Sequence, residues 1–178
     1  MIYIVLLRGI NVGGNNRVAM SELKVVFEQA GMSKVSTYIN SGNVIFESSE
    51  MSKTKLARLL EKAIEQKFGF FVKVLVWDKD SLLALAKALP DNWVNDATMK
   101  CDAMFLWEDI DSPELLERLT VKPGIDDVKY YPGAILWRVD RDKVTRSGLL
   151  KIIGTDIYRH MTVRNCNTLR KLAGLLDK

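Results

Sequence analysis

Residues that could bind an anion are concentrated just after the first apolar run of the chain. The segment from residue 8 to residue 17 contains two arginines, three asparagines and three glycines. Glycine lets a ligand approach the main chain, and backbone N–H groups beside an arginine favour negative charge. The segment therefore predicts one wall of a ligand-binding pocket, formed by Arg8, Asn11, Gly13, Gly14 and Arg17.

This segment lacks the two best-known nucleotide-binding signatures. Gly9 and Gly14 have the spacing of a phosphate-binding P-loop, but Asn15 and Asn16 stand where that loop needs Lys and Ser or Thr. The G-x-G-x-x-G spacing of dinucleotide-binding folds is also absent. Two interpretations remain: a site for a carboxylate or phosphate, or a structurally demanding turn whose arginines cap carbonyl groups.

Two further polar stretches add candidates to the same site. Residues 40–43, Asn-Ser-Gly-Asn, form either a hairpin turn alone or a turn that offers Ser41 and Asn43 to a ligand. In residues 162–168, Thr162 could cap the last helix and place Arg164 and Asn165 in its first turn. Backbone N–H groups and the helix dipole favour an anion there. The alternative is a polar capping segment without a ligand.

Side chains for catalysis or metal binding are scarce. His160 is the only histidine and is expected at the surface or at a helix end, and the two cysteines are distant in sequence, so no usual zinc site is predicted. Cys166 is interpreted either as a reactive thiol near Arg164 or as a small apolar packing residue. The acidic pairs lie in expected turns. We therefore expect no cofactor and no metal, and no catalytic group can be assigned.

The overall composition is typical of a globular domain. The 178 residues are 27% charged and 48% hydrophobic, with a net charge of +4, too mild to imply nucleic acid. From residue 138 onward, however, there are ten Lys or Arg and four Asp or Glu. This basic C-terminal quarter makes RNA or single-stranded nucleic acid the alternative partner. No export signal or membrane span is recognised, which predicts a cytoplasmic protein with reduced thiols.

The first half of the chain has the pattern of a ferredoxin-like domain. Hydrophobic periodicity and turn residues predict the order β-α-β-β-α-β within 77 residues, followed by a helix from Asp80 to Leu89. Ser21 and Ser52 are the predicted N-caps of the first two helices. In this topology the end of strand one and the hairpin tip at 40–43 lie at one edge of the sheet. The two polar turns should therefore be neighbours.

The second half is predicted as a truncated or modified version of the same arrangement. It begins with a strand from Cys101 to Trp107 and continues with a helix after Ser112 and a hairpin around Pro132-Gly133. Helices are predicted from about 147 to 160 and from about 162 to 176. The fold class is thus α+β, with antiparallel sheets in two subdomains, residues 1–90 and 91–178, and residues 91–100 as the linker.

Three motifs carry a resemblance to a known family. Residues 6–14, 37–46 and 162–168 resemble the bacterial domain-of-unknown-function family 1697 over nearly the whole chain. The resemblance implies a cytoplasmic protein with two ferredoxin-like subdomains and no established activity. RNA-recognition motifs share this sheet but stack bases on aromatic side chains of the central strands. Here strand three offers one aromatic and no basic residue, so this likeness carries little functional weight.

Overall fold

The computed structural model describes all residues from 1 to 178 and divides them into two compact units. Unit 1 comprises Met1–Leu82 and unit 2 comprises Leu83–Lys178. The division falls inside a helix, eight residues before the boundary that the sequence suggests after residue 90. The segment expected to be a linker is ordered on unit 2, where Trp93 is buried and Asn167 Nδ2 donates to the Asn95 carbonyl at 2.8 Å.

Unit 1 has the predicted β-α-β-β-α-β order. Its elements are β1 (Ile2–Leu7), α1 (Met20–Gln29), β2 (Ser33–Tyr38), β3 (Asn43–Glu47), α2 (Lys53–Phe68) and β4 (Val74–Asp78). Helix α3 (Lys79–Ala88) follows and crosses the division between the units. The strands form a sheet in the order β2-β3-β1-β4, with every neighbouring pair antiparallel. Strand β3 therefore separates the parallel strands β1 and β2, which confirms the ferredoxin-like topology.

Apolar burial between helices and sheet holds unit 1 together. Leu23, Val26 and Phe27 of α1 are spaced at helical intervals and are buried against the sheet, with the Phe27 and Phe46 ring centroids 5.7 Å apart. Helix α2 begins at its predicted cap, since Ser52 accepts a hydrogen bond from Lys55 N, and ends at left-handed Gly69. The Ser21 cap is wrong: α1 begins at Met20, and the N-cap position, two residues before Ser21, is an extended Ala19 that makes no side-chain cap.

Unit 2 contains a second four-stranded antiparallel sheet. Its elements are β5 (Met99–Leu106), α4 (Leu115–Arg118), β6 (Asp126–Tyr131), β7 (Ala134–Asp140), α5 (Leu149–Ile152), β8 (Met161–Asn165) and α6 (Cys166–Leu176), with 3₁₀ turns at Arg141–Arg146 and Ile157–His160. The strand order is β6-β7-β5-β8. This order repeats that of unit 1 strand for strand, so the molecule consists of two ferredoxin-like subdomains.

Of the two alternatives predicted for the second subdomain, the structure shows a modified and not a truncated version. Residues 161–165 form the fourth strand β8, paired with β5, where the sequence suggested a helix from about 162. The region expected to be one helix from 147 to 160 contains the four-residue helix α5 and a 3₁₀ turn instead. These short elements take the place of the second long helix of unit 1.

None of the helices combines the length and the apolar character that crossing a lipid bilayer would require.

Candidate functional site

The loop after β1 folds into a miniature hairpin, which we call the glycine finger (residues 9–17). Asn15 N donates to the Val12 carbonyl at 3.0 Å, and Asn11 N donates to the Asn16 carbonyl at 3.1 Å. The two residues at its tip, Gly13 and Gly14, have φ angles of 59° and 77°. Successive left-handed residues between paired strands are the signature of a type I′ turn, for which glycine is favoured. The turn itself therefore accounts for both glycines, and they stand exposed at the tip.

Asn11 fastens the base of the glycine finger to the neighbouring turn. Its Nδ2 donates to the carbonyls of Val18 at 2.9 Å and Asn40 at 2.8 Å, while its Oδ1 accepts from Val18 N at 2.8 Å. The first loop and the turn at 40–43 are thus neighbours, as the topology predicted. Asn11 uses its side chain to hold this geometry.

The turn at 40–43 is packed tightly beneath the end of β1. Leu7 N donates to the Gly42 carbonyl at 2.8 Å. Gly42 has a φ of 83°, and a Cβ there would meet the Ile10 side chain at 2.7 Å. Only glycine satisfies both the backbone angle and the close approach. Asn43 Nδ2 donates to the Tyr38 carbonyl and to Ser41 Oγ, so these two predicted site residues contribute to the shape of the turn.

Positive charge collects at this edge of the sheet. Arg17 is exposed, and the point that a Cβ of Gly14 would occupy lies 4.0 Å from its Nη2. Arg8 is half-buried at the end of β1, where its backbone N donates to the Lys73 carbonyl at 3.0 Å. Residues 7–18 and 37–46 contain no acidic residue. Within unit 1, Arg17 forms no ion pair, which leaves its guanidinium available to an anion.

The third predicted stretch has a different local structure from the one expected. Arg164 is in strand β8 and only 7% exposed; its Nη1 donates to Thr162 Oγ1 and to the Val163 carbonyl. Burial lowers the pKa of Arg164 to about 10, so its side chain stays charged at neutral pH. Asn165, rather than Thr162, caps α6 by accepting from Thr168 N at 3.0 Å. Both residues belong to unit 2, and their place in a ligand site stays a prediction.

The other candidate chemical groups have identifiable structural surroundings. His160 ends a 3₁₀ turn, partly exposed, with its Nδ1 facing the Asp109 carboxylate. No group of three His, Cys, Asp or Glu side chains is arranged to hold a metal ion. The two cysteines, distant in sequence, are both free and buried, and each thiol shifts the pKa of the other. The sequence does not indicate that the two cysteines are neighbours, because their proximity depends on the pairing of β5 with β8, which the sequence pattern did not predict.

Comparison with known proteins agrees with this architecture. Residues 1–137 match the family model described as protein of unknown function (DUF1697). The chain belongs to the DUF1697 family. This DUF1697 chain is also similar to a solved structure, the conserved bacterial protein SP0830 from Streptococcus pneumoniae, with 31% identity and a TM-score of 0.83 over 98% of both chains. No curated protein matches it. The similarities establish family and fold, and neither description names an activity.

Proposed function

We propose that this protein binds a small anionic ligand, such as a phosphorylated metabolite or a carboxylate, at the glycine finger. The observation that carries the proposal is the Arg17 guanidinium, which lies beside the Gly13-Gly14 tip with no acidic residue in either flanking turn. The type I′ turn explains the glycines, whereas fold stability does not explain an unpaired arginine at its side. A guanidinium with exposed backbone N–H groups beside it suits a phosphate or carboxylate.

We propose two roles for the predicted residues. Gly13, Gly14 and Arg17 would contact the ligand, with Arg8 contributing positive charge from the end of β1. Asn11, Ser41 and Asn43 would act indirectly, because their side chains hold the finger and the turn beneath it. Arg164 and Asn165 remain proposed members from unit 2, and the proposal for the finger stands without them.

Thermal unfolding in the presence of ligands tests this proposal. We expect at least one compound from a panel of inorganic phosphate, nucleotides, sugar phosphates and carboxylates to raise Tm. A ligand at about 100 times its Kd adds about 2.7 kcal/mol of stability. Arg17→Ala should abolish the shift, and Arg17→Lys should retain part of it. Lys62→Ala is the matched control, since it removes another exposed cation of unit 1 on α2. A shift that survives Arg17→Ala would move the site elsewhere.

We also infer a cytoplasmic location. Both cysteines are free and buried, which is the usual state of thiols in reducing compartments. Fractionation of cells that express the protein should recover it with cytoplasmic markers. Recovery with periplasmic or secreted proteins would contradict the inference.

A further inference from the structure

The only two cysteines of the chain lie at the same end of the β5–β8 ladder, inside unit 2. Asp102 and Asn165 are the last paired residues of these strands; Cys101 precedes Asp102 in β5, and Cys166 follows Asn165 as the first residue of α6. Opposed residues such as Asp102 and Asn165 have Cα atoms about 4.5–5.5 Å apart, and a disulfide spans roughly 4.4–6.8 Å between Cα atoms, so residues one step beyond such a pair are near that range. Both residues are fully buried and both thiols are free. The two thiols are therefore buried near each other at one end of the ladder.

The surroundings make the two sulfurs unequal. Cys166 is the first residue of the 11-residue helix α6, where the positive end of the helix dipole favours a thiolate. Arg170 Nη1 lies 3.6 Å from Cys166 Sγ. The neighbouring Cys101 thiol and, to a smaller extent, Arg170 lower the pKa of Cys166 against the effect of burial, whereas the Cys166 thiol and burial raise the pKa of Cys101. The Asp102 carboxylate raises both pKa values, so it opposes the lowering at Cys166 and adds to the raising at Cys101.

We propose that Cys101 and Cys166 form a two-thiol oxidation site, in which Cys166 reacts with hydrogen peroxide and Cys101 completes a disulfide. The Cys166 thiolate attacks one peroxide oxygen; the O–O bond breaks, hydroxide leaves and takes up a proton, and Cys166 becomes a sulfenic acid. The Cys101 sulfur then attacks the Cys166 sulfur, the S–O bond breaks, and water leaves with the thiol proton. Two thiols and one peroxide thus give one disulfide and two waters. We choose hydrogen peroxide as the oxidant because the two thiols are buried and the oxidant must be small to reach them.

Mass spectrometry of the intact protein tests the proposal. The full chain is treated with peroxide, unfolded in an alkylating reagent, and weighed. We expect no alkylation and a mass lower by about 2 Da, the two hydrogens lost in a disulfide. Peptide mapping should join the segments that contain Cys101 and Cys166, and a dithiol reductant should restore both alkylation sites. Two alkylated cysteines after prolonged exposure to excess peroxide would overturn the proposal, and this wild-type measurement depends on no variant folding.

Variants test the assigned roles. Cys101→Ser should accumulate a sulfenic acid at Cys166 that a dimedone probe labels, whereas Cys166→Ser should leave Cys101 unlabelled; the reverse pattern would contradict the assignment. Arg170→Gln should slow oxidation about twofold near neutral pH. A rise of about one unit in the Cys166 pKa, from about 7, reduces the thiolate fraction at pH 7 about fivefold, and the gain in nucleophilicity recovers part of the rate. Arg170→Lys keeps the charge and should restore most of the rate. Equal rates in all three proteins would exclude the role of Arg170.

Discussion

Asp126 is the polar centre of unit 2, although it looks like an ordinary turn residue in the sequence. Its carboxylate accepts hydrogen bonds from Trp137 Nε1, Ser147 Oγ, Gly148 N and Lys122 N. It is only 7% exposed, so these donors replace water around a buried charge. Gly148 is also confined by its surroundings, because a Cβ there would lie 1.6 Å from the Thr120 carbonyl oxygen. Donors from three chain segments, at residues 122, 137 and 147–148, therefore meet at one carboxylate.

Replacing this carboxylate should destabilise the protein in a pH-dependent way. Asp126→Asn turns one acceptor oxygen into a donor that faces other donors, and we expect a loss of about 3 kcal/mol in urea unfolding at pH 7. Burial tends to raise the pKa of Asp126, but the hydrogen bonds outweigh it and the net shift is downward. The stabilisation is present above the unfolded pKa of about 3.9 and is lost as the pH falls through the lower folded pKa. The stability difference between wild type and variant should therefore shrink below about pH 4.

The neighbouring residue provides a matched control for this measurement. Asp127 is exposed and pairs with Arg138 at 2.6 Å. Surface ion pairs contribute at most about 1 kcal/mol, so Asp127→Asn should change stability little. Similar losses of unfolding free energy in the two variants would show that the buried hydrogen bonds of Asp126 contribute no more stability than an exposed ion pair.

At the scale of secondary-structure elements, the junction between β8 and α6 allows a test of where helix α6 begins. Asn165 ends the strand and caps the helix through its hydrogen bond from Thr168 N. We expect Asn165→Ala to cost about 1 kcal/mol in the free energy of unfolding, measured by urea denaturation. Asn165→Ser keeps a capping oxygen and should recover most of that stability. If Ala and Ser variants lose the same amount, the helix starts elsewhere.

The same junction shows where sequence reasoning succeeds and where it fails. Unit 1 was predicted element by element because its helices are long, its strands are bounded by turn residues, and Ser52 and Gly69 mark the ends of α2. Strand β8 was missed because it has five residues and joins α6 without a turn. Its partner β5 lies about 60 residues earlier, and such long-range pairing leaves little local signal.

The candidate site was predictable to a similar extent. The meeting of the glycine finger with the turn at 40–43 follows from strand order, which the sequence pattern indicates. Strand order does not indicate which polar residues are available to a ligand and which hold the turns in place. In the sequence, an asparagine in a polar turn looks the same whether it binds a ligand or the main chain. The side chains of Asn11 and Asn43 donate to main-chain carbonyls, and the sequence does not identify these partners. The proximity of Cys101 and Cys166 was not predicted for the same reason, because it depends on the pairing of β5 with β8.

At the scale of the whole molecule, charge is balanced within each unit. Unit 1 has eleven basic and eight acidic residues, and unit 2 has fifteen and fourteen, for net charges of +3 and +1. Several cations of the basic C-terminal quarter are engaged: Arg138 and Lys143 pair with Asp140, and Arg141 bonds to Asn95. The aromatics of the central strands β1 and β3, Tyr3 and Phe46, are in the hydrophobic core. The central strands of unit 1 therefore do not offer these aromatic rings for the base stacking that RNA-recognition motifs use.

We therefore predict that the protein binds RNA and single-stranded DNA no more tightly than the weak association of an ordinary slightly basic protein. Fluorescence anisotropy with labelled mixed-sequence oligonucleotides, at about 50 mM and about 200 mM salt, should show no saturable binding at micromolar protein. Each neutralised phosphate gives a slope near −0.7 in log K against log salt for single strands, so a real site would lose affinity steeply. A saturable complex at low salt with such a slope would restore the C-terminal quarter as an interface. In that case Lys151→Glu and Lys171→Glu, which reverse the charge of cations without ion pairs, should weaken binding. Arg138→Glu should weaken it less, since Arg138 is already neutralised by Asp127 and Asp140.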